Sequence, residues 1–273
     1  MNKRFEQYVE KGQQPLFIPF ITAGDPSPEV TVELALLLQD AGANAIELGI
    51  PYSDPLADGP VIQEASNRAL EQGMTLKKAM KLVPEMRKKG VRIPIIIFTY
   101  YNLLLQLGKD QFFVWAREHD IDGLLVPDLP FEESAELREM AESENVPLIS
   151  LVAPTTSPLR LEEIVSHAQG FVYCVSSLGV TGVRKGEFKP EVYDFLANVK
   201  QFSQVPVAVG FGISSSEQIE RVRQYCDGVV VGSAIVREIG SRQAALLNPE
   251  KRSEALAEIR SFLLSLTGRS ITT

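Results

Sequence analysis

The stretch "ELGIPYSDPLADGP", residues 47–60, sets three carboxylates, Glu47, Asp54 and Asp58, among prolines and glycines with no base between them. It follows a short apolar run and precedes one that looks helical. Glu47 falls inside the run "AIELG", near its carboxyl end. A carboxyl group held there has little water around it, which raises its pKa and suits it to give and take protons near neutral pH. The competing reading is a glutamate paired with a cation inside the protein; the neighbouring strand ends offer no Lys or Arg, which favours proton transfer. Asp54 and Asp58 lie in "PYSDP" and "LADGP", turn sequences in which Asp commonly bonds nearby amides, so each alone reads as a turn residue. Glu47 and Asp58 together have the chemistry of two separated acid/base groups converging on one substrate. Pro51, Pro55 and Pro60 would stiffen the loop that holds them.

A second kind of chemistry is written in glycine. "GVTG" at 179–182, "GFGIS" at 210–214 and "GSAIV" at 232–236 each follow a short apolar run. Glycines let backbone amides approach an anion closely, and Ser233 would open a short helix whose amide end attracts phosphate. Each piece is weak alone, because loops use glycine for turn geometry. Three in succession point to a phosphate site that needs no lysine. The stretch "GVTGVRKGEFKPE" is long for a loop and has two readings, a solvated basic segment or a lid over substrate. Phe20, Ile62, Phe98, Tyr100, Leu125, Tyr173 and Phe211 share positions near strand ends and form a candidate pocket for a flat ring, although such residues are more often plain core.

These groups need a scaffold that gathers loop residues at one end. Eight apolar runs supply it: "LFIPFIT", "AIELG", "PIIIFTYY", "GLLVPD", "PLISLV", "GFVYCVS", "PVAVGFG" and "GVVVGS". Continuous Ile, Val and Leu suits parallel strands buried on both faces. The stretches between carry helix punctuation, such as Ser27 and Pro28 before "EVTVELALLLQD" with Gly42 after it, and Thr75 and Gly90 around "LKKAMKLVPEMRKK", where Pro84 predicts a kink. Strands alternating with helices over 273 residues predict an α/β fold, a (β/α)8 TIM barrel formed as a single domain over residues 1–273. A doubly wound open sheet is disfavoured, since "FITAGDPSPE" after the first strand has no Gly-x-Gly-x-x-Gly. An additional N-terminal helix carrying Phe5, Tyr8 and Val9 is expected to cap the bottom of the barrel.

Composition limits the choices further. The chain is 45% hydrophobic and 23% charged with net charge −8, so a general nucleic-acid or anionic-membrane surface is excluded. Cys174 and Cys226 read as two buried thiols in a reducing compartment rather than a disulfide framework. The opening segment lacks the apolar middle of a secretory signal and no run is long enough for a membrane span, which gives the expectation of a cytoplasmic protein. His119 and His167 sit at helix ends, away from the expected barrel mouth. No spacing suits a metal site, and no nucleotide fingerprint is present.

Taken together, "PFITAGDP", "IELGIPYSDPLADGP", "SSLGVTG", "VGFGIS" and "VVVGSAIV" closely resemble the tryptophan synthase α-subunit family, in register over nearly the whole chain. The resemblance implies a lyase that cleaves indole-3-glycerol phosphate to indole and glyceraldehyde 3-phosphate. It matches Glu47 to the general acid/base and Asp58 to a second catalytic carboxylate, expected to be the better solvated of the two. It places phosphate on Gly182, Gly210, Gly212, Gly232 and Ser233, and puts Tyr173 and Thr181 at the site. Pro51 and Asp54 fall on the face that meets the β subunit in an αββα complex. No cofactor is implied for this chain; pyridoxal phosphate belongs to the β subunit, which receives the indole. The lid beyond Gly182, "VRKGEFKP", has no match. Two rivals remain at this level: another phosphosugar barrel enzyme such as an isomerase, which would not need "SDPLADGP", and a non-catalytic regulatory barrel, which would be expected to have lost Glu47 or Asp58.

Overall fold

A computed structural model describes residues 2–10, 15–175, 189–210 and 212–268. All eight runs contain strands: β1 (Leu16–Thr22), β2 (Ile46–Gly49), β3 (Ile95–Phe98), β4 (Gly123–Leu125), β5 (Ser150–Val152), β6 (Val172–Val175), β7 (Val207–Gly210) and β8 (Gly228–Val231). They pair in parallel in the order β4-β3-β2-β1-β8-β7-β6-β5. The two ends of that sheet meet at one bridge, Leu124 to Leu148, where Leu124 N–H donates to Pro147 O (2.9 Å) and Ile149 N–H donates to Leu124 O (2.8 Å). The result is a nearly closed barrel ringed by helices.

Side chains alternate along each strand, and this divides the core in two. Leu16, Ile18 and Phe20 of β1 point inward with Ile96, Phe98, Leu125, Tyr173 and Val230. Phe17 and Ile21 point outward with Ile46, Leu48, Val209 and Val231, and pack against the helices. Both faces are therefore dry, and this is why the strands read as unbroken apolar runs.

Helix boundaries follow their caps. Ser27 accepts from Val30 N–H at the start of helix Pro28–Asp40, and Thr75 accepts from Lys78 N–H before helix Leu76–Lys89. Gly90 ends the latter at φ +108, a left-handed conformation that favours glycine. That helix runs through Pro84 without a break. The third strand is shorter than its apolar run. It stops at Phe98, and Tyr100 already caps helix Tyr101–Leu107, which Gly108 (φ +91) separates from helix Lys109–Glu118. The unbroken run "PIIIFTYYNLLL" hides that strand-to-helix switch.

The first helix, Lys3–Tyr8, does close the bottom of the barrel. Phe5 belongs to the inner core and lies against Gly123 and Gly170, where an added Cβ would come within 3.3 and 3.0 Å of its ring. Arg4 donates to Asp120 and to Asp122 (2.9 Å). The fully buried Asp122 also takes Arg87 and the N–H of Ile95 (2.9 Å), so one carboxylate joins the first helix, helix Leu76–Lys89 and the start of β3. Removing it would take from Arg87 its buried carboxylate partner and from Arg4 one of its two. Asp122→Ala is expected to cost ~3–5 kcal/mol in urea unfolding. Activity per folded molecule should be unchanged, because the network lies at the end of the barrel away from the strand carboxyl ends; a loss below about 1 kcal/mol would show that the cluster behaves as a surface pair.

Candidate active site

The inward column of β2 is Ala45, Glu47 and Gly49, because Ile46 and Leu48 face the helices. Glu47 sits across from Phe20 on β1 and Ile96 on β3. It is 1% exposed, has no cation beside it among the described residues, and its Oε1 has no hydrogen-bond partner. Burial alone pushes its pKa up to about 8. The group is then a neutral acid at pH 7, able to give a proton and take it back. Gly49 next to it is required by packing: an added Cβ would lie 2.2 Å from the Phe20 ring.

Asp58 ends the loop that follows β2, directly before Gly59, the N-cap of helix Pro60–Glu71. Gln63 Nε2 donates to the Asp58 backbone O at 2.7 Å and fixes the main chain there. The Tyr100 hydroxyl donates to Asp58 Oδ2 at 3.0 Å, while Oδ1 is buried without a partner. As expected from the sequence, Asp58 is the better solvated of the two acids, at 5% exposure against 1% for Glu47, although both are buried. Burial pushes its pKa up to about 6, and the Tyr100 hydrogen bond opposes the rise. Asp58 is then ionised at pH 7, and the Tyr100 bond favours the charged form.

Both acids open on one cavity. Its apolar walls are Phe20, Ile62, Phe98 and Val230, and Tyr173, Gly212, Ile213, Gly232 and Ser233 complete it. Among these residues no Lys, Arg or His appears. An anion here would be held by backbone amides at the start of helix Ser233–Ser241, which Gly232 caps. Gly212, at φ +92, makes the turn after β7 that faces this helix end.

The structure thus gathers Phe20, Ile62, Tyr173, Gly212, Gly232 and Ser233 around Glu47 and Asp58. It separates others. Tyr100 stands behind Asp58 and offers its hydroxyl rather than a ring face. Leu125 is wholly buried in the inner core and is absent from the cavity wall. Gly210 makes room for Tyr173, whose hydroxyl would lie 2.2 Å from an added Cβ, and it too is off the wall. Pro51 and Asp54 line a separate groove with Tyr52, Leu103 and Leu107, where Ser53 Oγ donates to Asp54 Oδ2 at 2.6 Å. Thr181, Gly182 and Phe211, and with them the lid stretch up to Phe188, lie outside the described residues. Sequence reasoning did not single out Ile213 and Val230. Val230 was visible in principle as the inward residue of β8, and Ile213 as the residue between the two quoted ends of "GFGIS".

No group of three or more His, Cys, Asp or Glu that could hold a metal occurs among the described residues. His119 and His167 cap helix carboxyl ends outside the cavity, and both cysteines are free and buried. No helix among the described residues is long and apolar enough to cross a membrane.

Comparison with known proteins agrees with this geometry. The sequence model of the family described as "Tryptophan synthase alpha chain" matches residues 5–262. The tryptophan synthase alpha chain of Geobacillus sp. (strain WCH70) is 62% identical over 255 residues, 93% of this chain and 96% of that one. That of Bacillus subtilis (strain 168) is 60% identical over 253 residues, 93% and 94% of the two chains. Among solved structures, the tryptophan synthase α2β2 complex of Pyrococcus furiosus aligns with a TM-score of 0.82 at 38% identity, covering 95% of this chain and 99% of the matched chain. The alpha subunit from Legionella pneumophila str. Paris aligns with a TM-score of 0.83 at 36% identity, covering 96% and 98%.

The burial of Glu47 has a measurable consequence for stability. Its folded pKa of about 8 lies above the ordinary 4.5, so the unfolded chain releases this proton first as pH rises. The stability of the native protein therefore falls through that window, and Glu47→Gln is spared the loss. Relative to the native protein, Glu47→Gln is expected to gain ~3–5 kcal/mol between pH 4.5 and 8.5 in urea unfolding. Parallel pH–stability curves for the two proteins would mean that Glu47 titrates as an ordinary surface acid.

Proposed function

The chain belongs to the tryptophan synthase alpha chain family, lyases that cleave indole-3-glycerol phosphate, and from that premise we propose how its residues divide the work. The observation that carries the reading is the pair of buried carboxylates, both without a cation among the described residues, that face one apolar cavity with different proton affinities.

Breaking the bond between indole C3 and the glycerol chain needs a proton on C3. Glu47, neutral at pH 7, donates it. The ring then carries positive charge at N1–H. Asp58, ionised and with Oδ1 free, stabilises that charge. The hydroxyl on the carbon attached to C3 next gives its proton to the Glu47 carboxylate. The carbon–carbon bond breaks as that carbon becomes a carbonyl, its electron pair returns to the ring, and the charge at N1 disappears. Indole and glyceraldehyde 3-phosphate are left, and Glu47 is again protonated. Two carboxyl groups with separated pKa values are what this sequence of steps needs.

Phe20, Ile62 and Tyr173 enclose the indole ring, and the phosphate lies on Gly212, Gly232 and Ser233. Thr181, Gly182, Gly210 and Phe211 enter the same proposal through the family resemblance alone, as does Leu125 beneath the ring. No cofactor is assigned to this chain. A cytoplasmic location is part of the proposal, supported by two free, buried thiols. The partner is a tryptophan synthase β subunit, as in the α2β2 complex of Pyrococcus furiosus. The loop carrying Pro51 and Asp54 is the proposed contact, and Leu56 on the same loop, 78% exposed, gives it an apolar character. Pyridoxal phosphate would sit in the partner, which receives the indole.

The direct test is indole release from indole-3-glycerol phosphate by the purified chain, alone and with a β subunit added. Slow release alone and a large rise with the partner are expected; no release in either case would overturn the reading. Glu47→Gln and Asp58→Asn should each lower kcat by about 100-fold or more. Near-normal turnover in either variant would remove that residue from the chemistry. An added Cβ at Gly232 meets nothing nearer than 3.4 Å, so the fold admits alanine there. Gly232→Ala should weaken inhibition by glycerol 3-phosphate by about tenfold, the worth of roughly one hydrogen bond to a charged group. Unchanged inhibition would move the phosphate elsewhere.

A further inference from the structure

Asp58 stands on a loop, yet the chemistry assigned to it needs an ionised carboxylate in a fixed orientation. The loop from Ile50 to Gly59 has no strand or helix of its own, and the helix after it starts at Gly59 without a side-chain cap. What ties the loop tip to the barrel is the Tyr100 hydroxyl. Its oxygen accepts the Ala57 N–H at 3.0 Å, and its proton is directed to Asp58 Oδ2 at 3.0 Å. A phenol has one proton to give, and with the Ala57 amide occupying a lone pair the direction of donation is set.

Tyr100 itself is rigidly placed. It is 1% exposed and caps helix Tyr101–Leu107, and the next amide, Tyr101 N–H, donates to Asp128 Oδ1 at 2.9 Å. The Tyr52 ring lies 5.1 Å from the Tyr100 ring at 32°, and exposed Asn102 holds the Tyr52 hydroxyl at 3.3 Å. The phenol is thus fixed to the junction of β3 and its helix, and the loop acid is fixed to the phenol.

We propose that Tyr100 is a positioning residue for the reaction: by donating to Oδ2 it keeps Asp58 ionised and presents Oδ1 as the oxygen that meets the substrate. The inference rests on the reading of Asp58 as the carboxylate that stabilises charge on the indole nitrogen. Among the described residues, the groups facing Asp58 leave little else to hold its charge. Glu47 shares the cavity, Tyr173 lies across it and Tyr100 stands behind, with Asp128 on the far side of Tyr100. None of these is a cation, and Glu47, once ionised, opposes the Asp58 charge. Burial and the neighbouring Asp58 hold the Tyr100 phenol well above its ordinary pKa, so it remains a donor throughout the working range.

The test is the pH profile of indole release, measured with the β subunit bound, for Tyr100→Phe. Phenylalanine keeps the ring packing against Tyr52 and removes only the hydroxyl. The acidic limb, set by Asp58, is expected to move up by about one to two pH units, and kcat near pH 6.5 to fall by about tenfold or more with KM changed by less than about threefold. Activity should recover in part as pH rises. In an Asp58→Asn background the same substitution should add almost nothing, because the two residues act as one unit. A purely structural role would lower turnover at every pH, leave the limb in place and add to the loss in Asp58→Asn; that result overturns the proposal. If Asp58→Asn itself keeps near-normal turnover, the reading of Asp58 fails instead. Should Tyr100→Phe fold poorly by circular dichroism, 3-fluorotyrosine at position 100 decides the matter. A more acidic phenol donates more strongly and should shift the limb to lower pH; an unmoved limb counts against the proposal.

Discussion

The structure depends on one electrostatic constraint: Glu47 is enclosed at the mouth of a nearly closed barrel with no described cation to neutralise it. In water a glutamate is charged at pH 7. Here the apolar surroundings penalise the charge, and the acid keeps its proton. Every neighbouring feature preserves this condition. The inward column of β2 puts the side chain inside the barrel, and the small Gly49 beyond it lets the Phe20 ring lie over the strand end. Gly210 does the same for Tyr173 on the opposite side. These glycines serve ring placement, and ring placement keeps water from the acid.

The two ends of the barrel treat buried charge in opposite ways. At the bottom, Asp122 is wholly buried and satisfied by Arg4, Arg87 and a backbone amide. That carboxylate serves to join elements. At the mouth, Glu47 and Asp58 each keep one buried oxygen without a partner. An unsatisfied buried polar atom is costly, and such cost is tolerated where a ligand is meant to supply the missing contact. The protein thus satisfies its buried carboxylate at the bottom of the barrel and leaves one oxygen of each buried acid at the mouth without a partner.

The two acids are also held differently. Glu47 is part of a strand, so the sheet fixes it. Asp58 is part of a loop and depends on Tyr100, which belongs to the end of β3. Glu47, the acid with the higher pKa, receives no hydrogen bond that the structure shows at Oε1, and Asp58 receives one from a phenol. The difference in pKa, about 8 against about 6, follows from the deeper burial of Glu47 and the lower ordinary value of an aspartate, and the Tyr100 hydrogen bond adds to it.

Much of this was legible in the residues alone. Eight runs of Ile, Val and Leu announced eight buried parallel strands, because a strand dry on both faces needs no polar alternation. Ser27, Thr75 and Gly90 marked helix ends, because caps act through their immediate neighbours. Glu47 was visible because it lies inside an apolar run whose neighbouring strand ends offer no Lys or Arg to pair with it. What the sequence did not show depends on distance across the fold. Asp58 read as a turn residue or a partner acid to Glu47, and Tyr100 as a ring in a pocket wall; their hydrogen bond was hidden because they stand 42 positions apart in the chain. Gly210 read as a phosphate glycine, and the fold adds the Tyr173 hydroxyl that lies against it. The end of β3 was lost in "PIIIFTYYNLLL", where strand and helix share one composition. Local sequence determined the elements and the identity of the acids, since periodicity and caps are short-range. Only the tertiary structure decided which groups surround each acid, the Tyr100 hydroxyl on Asp58 above all, since a pKa is set by everything packed around the group, whatever its place in the chain.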